Sequence, residues 1–503
     1  MLARPATSRS ESAPADGGPR ASAGRPDRPA AHARVGVFGV GLQAYWEQFP
    51  DLRSRLVEYQ RRVEERIGGL GADVVSGGLV DTAERGRWAG EAFARERVDL
   101  VFCHAVTYAT SSQVLPALQA AGAPVVLLAL QPVAALQYEA VDTAEWLANC
   151  SACCVPELAG ACTRAGIPYA TIAGTIGDDE RAWGRIAAWL AAARVRRALR
   201  HSRLGFLGHT YPGMLDLYTD FTAVQAQLGA HIEVLEIDDL VARVNAASTA
   251  EVRAKQQEIE EMFELADPAG DPIAAPIEPA ELDWAARVAA GLEALVGDFD
   301  LDGLTYYHRG ADNEAERVAA GVIVGSCLLT ARGVVTSGEG DLKTNLAQLI
   351  LDRLGAGGSF TEYYALDFED DFILMGHDGP GHIAIAHERP VLRGLRLYHG
   401  KRGAGVSVEF QVRRGPVTIL GCTQSREGRL RLVCAEGESI HGSTFKIGNT
   451  NTRLRFRLPP AEFLEAWCEQ GPTHHVALGI GHRAEEVKRV ASLCELEFAE
   501  VGT

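Results

Sequence analysis

A chain of 503 residues is too long for a single compact core and implies about two to four domains. With 47% hydrophobic and 23% charged residues and 53 Gly, the composition excludes a disordered or fibrous chain. Acidic residues outnumber basic ones by 66 to 49, a net charge of -17 that repels phosphate backbones; with no local basic patch, nucleic acid is excluded as a partner.

Residues 1–34 are built from Ala, Pro, Arg, Ser and Gly, with six Arg against three acids. They lack the apolar core of a signal peptide and are expected to form a disordered tail. From Val35, short β-rich runs (Val35–Phe38, Ala72–Val75, Val98–Phe102, Pro124–Leu130, Pro168–Ala173) alternate with amphipathic stretches such as Leu52–Ile67 and Thr82–Glu96. That alternation predicts a parallel, doubly wound sheet over 35–176. Asp178–Leu199 reads as a long linking helix. A second α/β unit, 177–356, runs through Arg203–Gly208, His231–Leu235, Leu301–Tyr307 and Val334–Val335. From Gly357 strands follow one another without long helices: Ile383–Ile385, Leu395–Tyr398, Val406–Val412, Val417–Leu420 and Leu430–Val433. Residues 357–503 are therefore expected to form an antiparallel, barrel-like β-rich domain, with late helices at Pro460–Gln470 and Ala484–Leu493. The fold class is α/β, two doubly wound domains followed by the β-rich one. The longest apolar stretch, Ala319–Ala331, is too short for a bilayer, which takes roughly 20 residues, so no membrane partner is expected.

Two motifs have bland readings. Gly36-Val-Phe-Gly39-Val-Gly41 follows a strand as a dinucleotide fingerprint would, but Tyr45, Trp46 and Phe49 crowd the place where a pyrophosphate would lie. Cys150, Cys153, Cys154 and Cys162 lack the second ligand pair of a zinc site. Positions 150, 153 and 154 share a face of a helix, so buried packing is expected, and without a secretory signal the thiols are expected to be reduced in the cytoplasm.

The chemistry concentrates later. Thr336-Ser-Gly-Glu339-Gly-Asp341-Leu-Lys343-Thr344 places carboxylates in a glycine turn between a strand and a helix. Glu362 follows in a strand-like run, His377 ends an apolar strand, and His474-His475 opens another. An acid here is commonly a helix cap and a terminal histidine a surface residue. Together, two acids and two histidines at strand ends form a mixed oxygen and nitrogen donor set, suited to Mn, Co, Fe or Mg.

The Gly-Glu339-Gly-Asp341-x-Lys343-Thr344 segment, followed by Gly358-Ser-Phe-Thr-Glu362, Gly376-His377 and His474-His475 in that order, resembles the L-arabinose isomerase family, within the arabinose/fucose isomerase fold. The resemblance implies a divalent metal, most simply Mn2+ with Co2+ or Mg2+ as alternatives, held by Glu339, Glu362, His377 and His475. It makes Glu339 and Glu362 the acid/base pair of an aldose–ketose isomerase working through an enediolate. It makes Gln43, Met214, His308 and His474 substrate contacts, and Asp341 and Lys343 are expected to orient Glu339. A small sugar as partner and a homo-oligomer, trimer or hexamer, are implied. Leu342 stands where the family commonly has tryptophan, and Gln131–Gln137 lacks an expected asparagine and histidine. The sugar-facing surface is thus expected to differ, leaving an epimerase, a lyase or a non-catalytic sugar-binding protein as alternatives.

Overall fold

A computed structural model describes residues 32–267, 269, 275–307, 309, 313–395, 405–445 and 449–502. The predicted tail therefore lies almost wholly outside the described residues, and the first strand starts at Ala33, two residues earlier than expected.

The first sheet contains β1 (Ala33–Val40), β2 (Ala72–Val80), β3 (Leu100–Ala105), β4 (Val125–Gln131) and β5 (Tyr169–Thr175) in the order β2-β1-β3-β4-β5. All its pairings are parallel. Strands β3 and β4 are buried almost end to end, as expected of a sheet covered by helices on both faces. Helices Leu52–Gly69 and Ala83–Arg95 supply that cover; the second starts where the Thr82 hydroxyl accepts the Arg85 N–H. The glycines of the first strand serve packing. A Cβ at Gly36 would strike the Phe93 ring and one at Gly39 the Gln60 side chain, so both bring helices close to the sheet.

Helix Glu180–Arg200, capped by the Asp179 carboxylate, leads to a second parallel sheet. It holds β6 (Arg203–Leu207), β7 (His231–Leu235), β9 (Gly303–Tyr306) and β10 (Val335–Ser337) in the order β10-β9-β6-β7. Between β7 and β9 the two-residue β8 (Glu264–Leu265) pairs elsewhere, in a three-stranded sheet with β13 (Val391–Leu395) and β14 (Gly405–Glu409).

The third large sheet holds β11 (Ser359–Asp367), β12 (Phe372–His377), β15 (Gly415–Gln424), β16 (Leu430–Ile440), β17 (Thr450–Phe456), β18 (His475–Ile480) and β19 (Glu497–Val501). Its order is β15-β18-β11-β12-β17-β16-β19, and an additional β15–β16 pairing closes six strands into an antiparallel barrel. Closure leaves no free edge among those six. One apolar cluster runs from Val35 and Phe102 through Trp183 and Leu346 to Leu420 and Val487, joining both parallel sheets to the barrel.

Two local expectations fail, and a third falls mostly outside the described residues. Ile383–Ile385 is a single 3₁₀ turn, because a three-residue in-out-in pattern fits either conformation. The strand expected at Leu395–Tyr398 is β13, ending at Leu395, and residues 396–398 lie outside the described ones. Residues 149–154 form turns rather than a helix face, and Cys150 and Cys153 are joined by a disulfide instead of being reduced. Cys103, Cys154 and Cys162 are buried thiols. Among the described residues, no helix is long and apolar enough to cross a membrane.

Candidate active site

The antiparallel register assembles half of the site. In β11, Glu362 lies opposite His475 of β18 on one side and Gly376 of β12 on the other, and His377 follows Gly376 at the strand end. Three residues distant in sequence thus meet because three barrel strands pair in one register. The other half comes from the carboxyl end of β10, where open α/β sheets place ligands. There the chain turns through Gly338, Glu339 and Gly340 before helix Leu342–Arg353. Glu339 has a positive φ of 61°, rare for a residue other than glycine. A Cβ at Gly340 would lie 2.6 Å from Thr210 Cα, so only glycine fits beside the loop after β6. Two backbone bonds hold the turn: Tyr211 N–H donates to Glu339 O (2.9 Å) and Gly340 N–H to Tyr306 O (2.9 Å).

The four side chains converge. Oxygens of Glu339 and Glu362 lie 3.7 and 4.0 Å from His475 Nε2. One ligand atom each of Glu362, His377 and His475 lies within 4.8 Å of the others, as holds for Glu339, His474 and His475. The Phe360 ring packs against both His377 and His475, at centroid distances of 4.5 and 4.4 Å, and sets their orientation.

Asp341 has two tasks. As N-cap it accepts the Thr344 N–H (3.0 Å) and hydroxyl (2.7 Å). It also accepts from His475 Nδ1 at 3.0 Å. Both side chains are wholly buried. A proton on Nδ1 leaves the Nε2 lone pair facing the two glutamates, and that nitrogen makes no hydrogen bond. Burial pulls the His475 imidazole down to about 4, against the upward pull of Asp341. Burial pushes the Asp341 carboxyl up, but the His475 hydrogen bond and charge, the Lys343 ammonium and the Thr344 hydroxyl together outweigh this and the net shift is downward. The ring is neutral near pH 7, as a metal ligand must be. A buried lone pair among carboxylates calls for a cation, so the donor set fits a divalent metal.

The remaining predicted residues are placed differently. His474 packs on His475 (3.8 Å between centroids), and its Nδ1 donates to Asp216 at 2.7 Å. Asp216 sits in the short 3₁₀ turn Leu215–Leu217, which Met214 precedes; Met214 is half-buried in the loop after β6. Lys343 was expected to orient Glu339. Its Nζ instead donates to Tyr218 O (2.9 Å) and Thr219 Oγ1 (3.1 Å), because the amine needs acceptors in its buried setting and that loop supplies them. Asp341 likewise orients His475. Gln43 is exposed in the turn after β1, with no described contact to the Glu339 cluster, and His308 lies outside the described residues. Sequence reading missed Asp216, Phe360 and the ring ladder His209–Tyr307–Tyr211, whose centroids are 4.9 Å apart at each step. Asp216 and His474 are 258 residues apart, and no local pattern signals their pairing.

Comparison with known proteins bears on this arrangement. The L-arabinose isomerase central domain family matches residues 218–357, and the L-arabinose isomerase C-terminal domain family matches 357–497, together more than half of the chain. The chain belongs to the L-arabinose isomerase family. It is a divergent member. An L-arabinose isomerase of Nocardioides sp. is 27% identical over 407 residues, 78% of this chain and 78% of that protein. That of Salmonella enteritidis PT4 is 24% identical over 64% of this chain and 65% of its own length. That of Mycolicibacterium smegmatis is 26% identical over 63% of each. The chain thus spans just under two thirds of these last two relatives. Glu339, Asp341 and Lys343 lie in the central-domain match, and Glu362, His377, His474 and His475 in the C-terminal one.

Proposed function

We propose that this chain is a metal-dependent aldose–ketose isomerase of the L-arabinose isomerase type, acting on a small open-chain sugar. The observation that carries the reading is the convergence of two carboxylates on the buried, unbonded Nε2 of His475. Glu339, Glu362, His377 and His475 would hold the cation; their mixed oxygen and nitrogen donor set suits Mn2+, Co2+ or Mg2+ alike, and the preference for Mn2+ comes from the family resemblance. When bound, the cation supplies a Lewis acid for the carbonyl and hydroxyl oxygens of the sugar.

The chain's own residues do the rest. One glutamate takes the proton from the carbon beside the carbonyl and returns it to the neighbouring carbon, while the other carries a proton between the two oxygens. Asp341 holds His475 in the tautomer that keeps Nε2 unprotonated. His474, its Nδ1 spent on Asp216, offers Nε2 to a sugar hydroxyl. Met214 lies on the same loop, and Gln43 belongs to this reading through the family resemblance alone. A homo-oligomer, trimer or hexamer, rests on that resemblance too.

The test incubates chelated and Mn2+-reloaded protein with a panel of pentoses and hexoses and follows products by NMR. Ketose formed only after reloading supports the proposal. Full activity after exhaustive chelation refutes the metal, an altered stereocentre without ketose indicates an epimerase, and binding without turnover indicates a sugar-binding protein.

A further inference from the structure

The Cys150-Ser-Ala-Cys153-Cys154 motif plays no part in the isomerase site, yet its surroundings are specific. Cys150 and Cys153 are disulfide-bonded across the turn between helices Thr143–Ala148 and Val155–Ala165, with Cα atoms 6.2 Å apart. Cys150 is buried and Cys153 is exposed, so an external thiol can reach only one of the two sulfurs. The neighbouring Cys154 is closed off. Its Sγ donates to Thr107 O at 3.4 Å, and burial raises its thiol to about 11. Exchange is therefore confined to the Cys150–Cys153 pair. Cys153 also lies just before the N-terminus of an eleven-residue helix, where a thiolate is favoured once the bond opens.

The turn is stitched to the segment that follows β3. The Thr107 hydroxyl donates to Leu147 O (2.7 Å), and the Ser111 hydroxyl donates to Glu157 Oε1 (2.6 Å). Asn149 Nδ2 donates to Glu145 O (3.0 Å), and Glu145 in turn pairs with Arg55 (2.7 Å). The disulfide closes the short turn between the two helices that carry these contacts, and Cys154 in that turn bonds Thr107 O directly.

We propose that Cys150 and Cys153 form a reversible thiol–disulfide switch, set by a low-molecular-weight thiol/disulfide couple, that locks the 149–154 turn against the segment 107–111. In the opening direction a glutathione thiolate attacks Cys153 Sγ, giving a mixed disulfide and expelling the Cys150 thiolate, which takes up a proton. A second glutathione thiolate then attacks the glutathione sulfur, releasing glutathione disulfide and the Cys153 thiolate. Two glutathione thiols are oxidised to one disulfide, and one protein disulfide is reduced to two thiols.

The full chain, folded, is equilibrated in glutathione buffers from oxidised to reduced, quenched in acid, denatured and alkylated, and the peptide spanning 150–154 is mapped by mass. The expected result is one label, on Cys154, at the oxidised end and three at the reduced end, with Cys468, an exposed thiol, as internal control. Hydrogen exchange of amides in 107–111 and 147–157 is expected to quicken by about tenfold in the reduced form. Cys153→Ser, which cannot close the bond, should exchange at the fast rate in both buffers. Three labels throughout, one label even in the most reducing buffer, a bond to Cys154, or unchanged exchange rates would each overturn the proposal. The isomerase assignment plays no part in this outcome.

Discussion

Replacing Asp341 with asparagine changes one atom of a wholly buried side chain, at the point where helix cap and candidate metal ligand meet. Asp341 Oδ1 accepts the Thr344 N–H, while Oδ2 accepts both the Thr344 hydroxyl and His475 Nδ1. An amide supplies only one oxygen. If that oxygen keeps the cap, its NH2 faces the Nδ1 proton, and His475 must move the proton to Nε2 and lose the lone pair aimed at Glu339 and Glu362. If the oxygen keeps His475, the NH2 faces the Thr344 N–H. The second arrangement leaves the buried Thr344 N–H unpaired, which costs about 1–3 kcal/mol of folding stability, while the first keeps its donors paired, the new Nε2–H facing the two glutamates, and forfeits the ligand lone pair. Loss of the carboxylate behind the ligand lowers metal affinity by about 10- to 100-fold, or about 1.4–2.7 kcal/mol. Calorimetric Mn2+ titration of chelated Asp341→Asn, beside its thermal melt, measures both terms. A folded variant that binds Mn2+ within about twofold of the parent would refute the argument that Asp341 sets the His475 tautomer.

Glu339→Gln and Glu362→Gln should each lower turnover by about 10²- to 10⁴-fold while the melting temperature holds, since each keeps its shape and loses its proton-transfer function; near-parental turnover in either would remove it from the acid/base pair. In chelated protein the neutral, buried His475 makes the unfolded chain bind more protons than the native one between the ordinary value of 6.5 and about 4. Stability is therefore fully present above pH 6.5 and lost as pH falls toward 4, by about 3 kcal/mol. Depression of the Asp341 carboxyl extends the loss below its ordinary 3.8. Urea midpoints across that range, with His475→Gln as the flattened control, test this. Phe360→Ala removes a wholly buried ring packed against both His377 and His475, and should cost about 3–5 kcal/mol in denaturant unfolding; a loss under about 1 kcal/mol would show that the ring does not hold them.

The sequence by itself determined much of the architecture. Strand and helix alternation before residue 357 and consecutive strands after it correspond to two parallel sheets and an antiparallel barrel. His231–Leu235 and Ala484–Leu493 have the predicted bounds because hydrophobic periodicity and flanking turn residues act locally. The glycine turn around Glu339 is legible for the same reason, since Gly340 supplies locally the positive φ, 68°, that a tight strand-to-helix turn needs. Tertiary structure alone decided the partners. Lys343 donates to the loop after β6, Asp341 pairs with His475, and Cys150 is bonded to Cys153 across a turn whose cysteine spacing fits a helix face equally well. The pairing of Asp216 with His474 has no local trace either. Periodicity specifies which face of an element is buried, whereas contacts of this kind depend on strand register and loop placement, which the chain settles only when distant segments pack together.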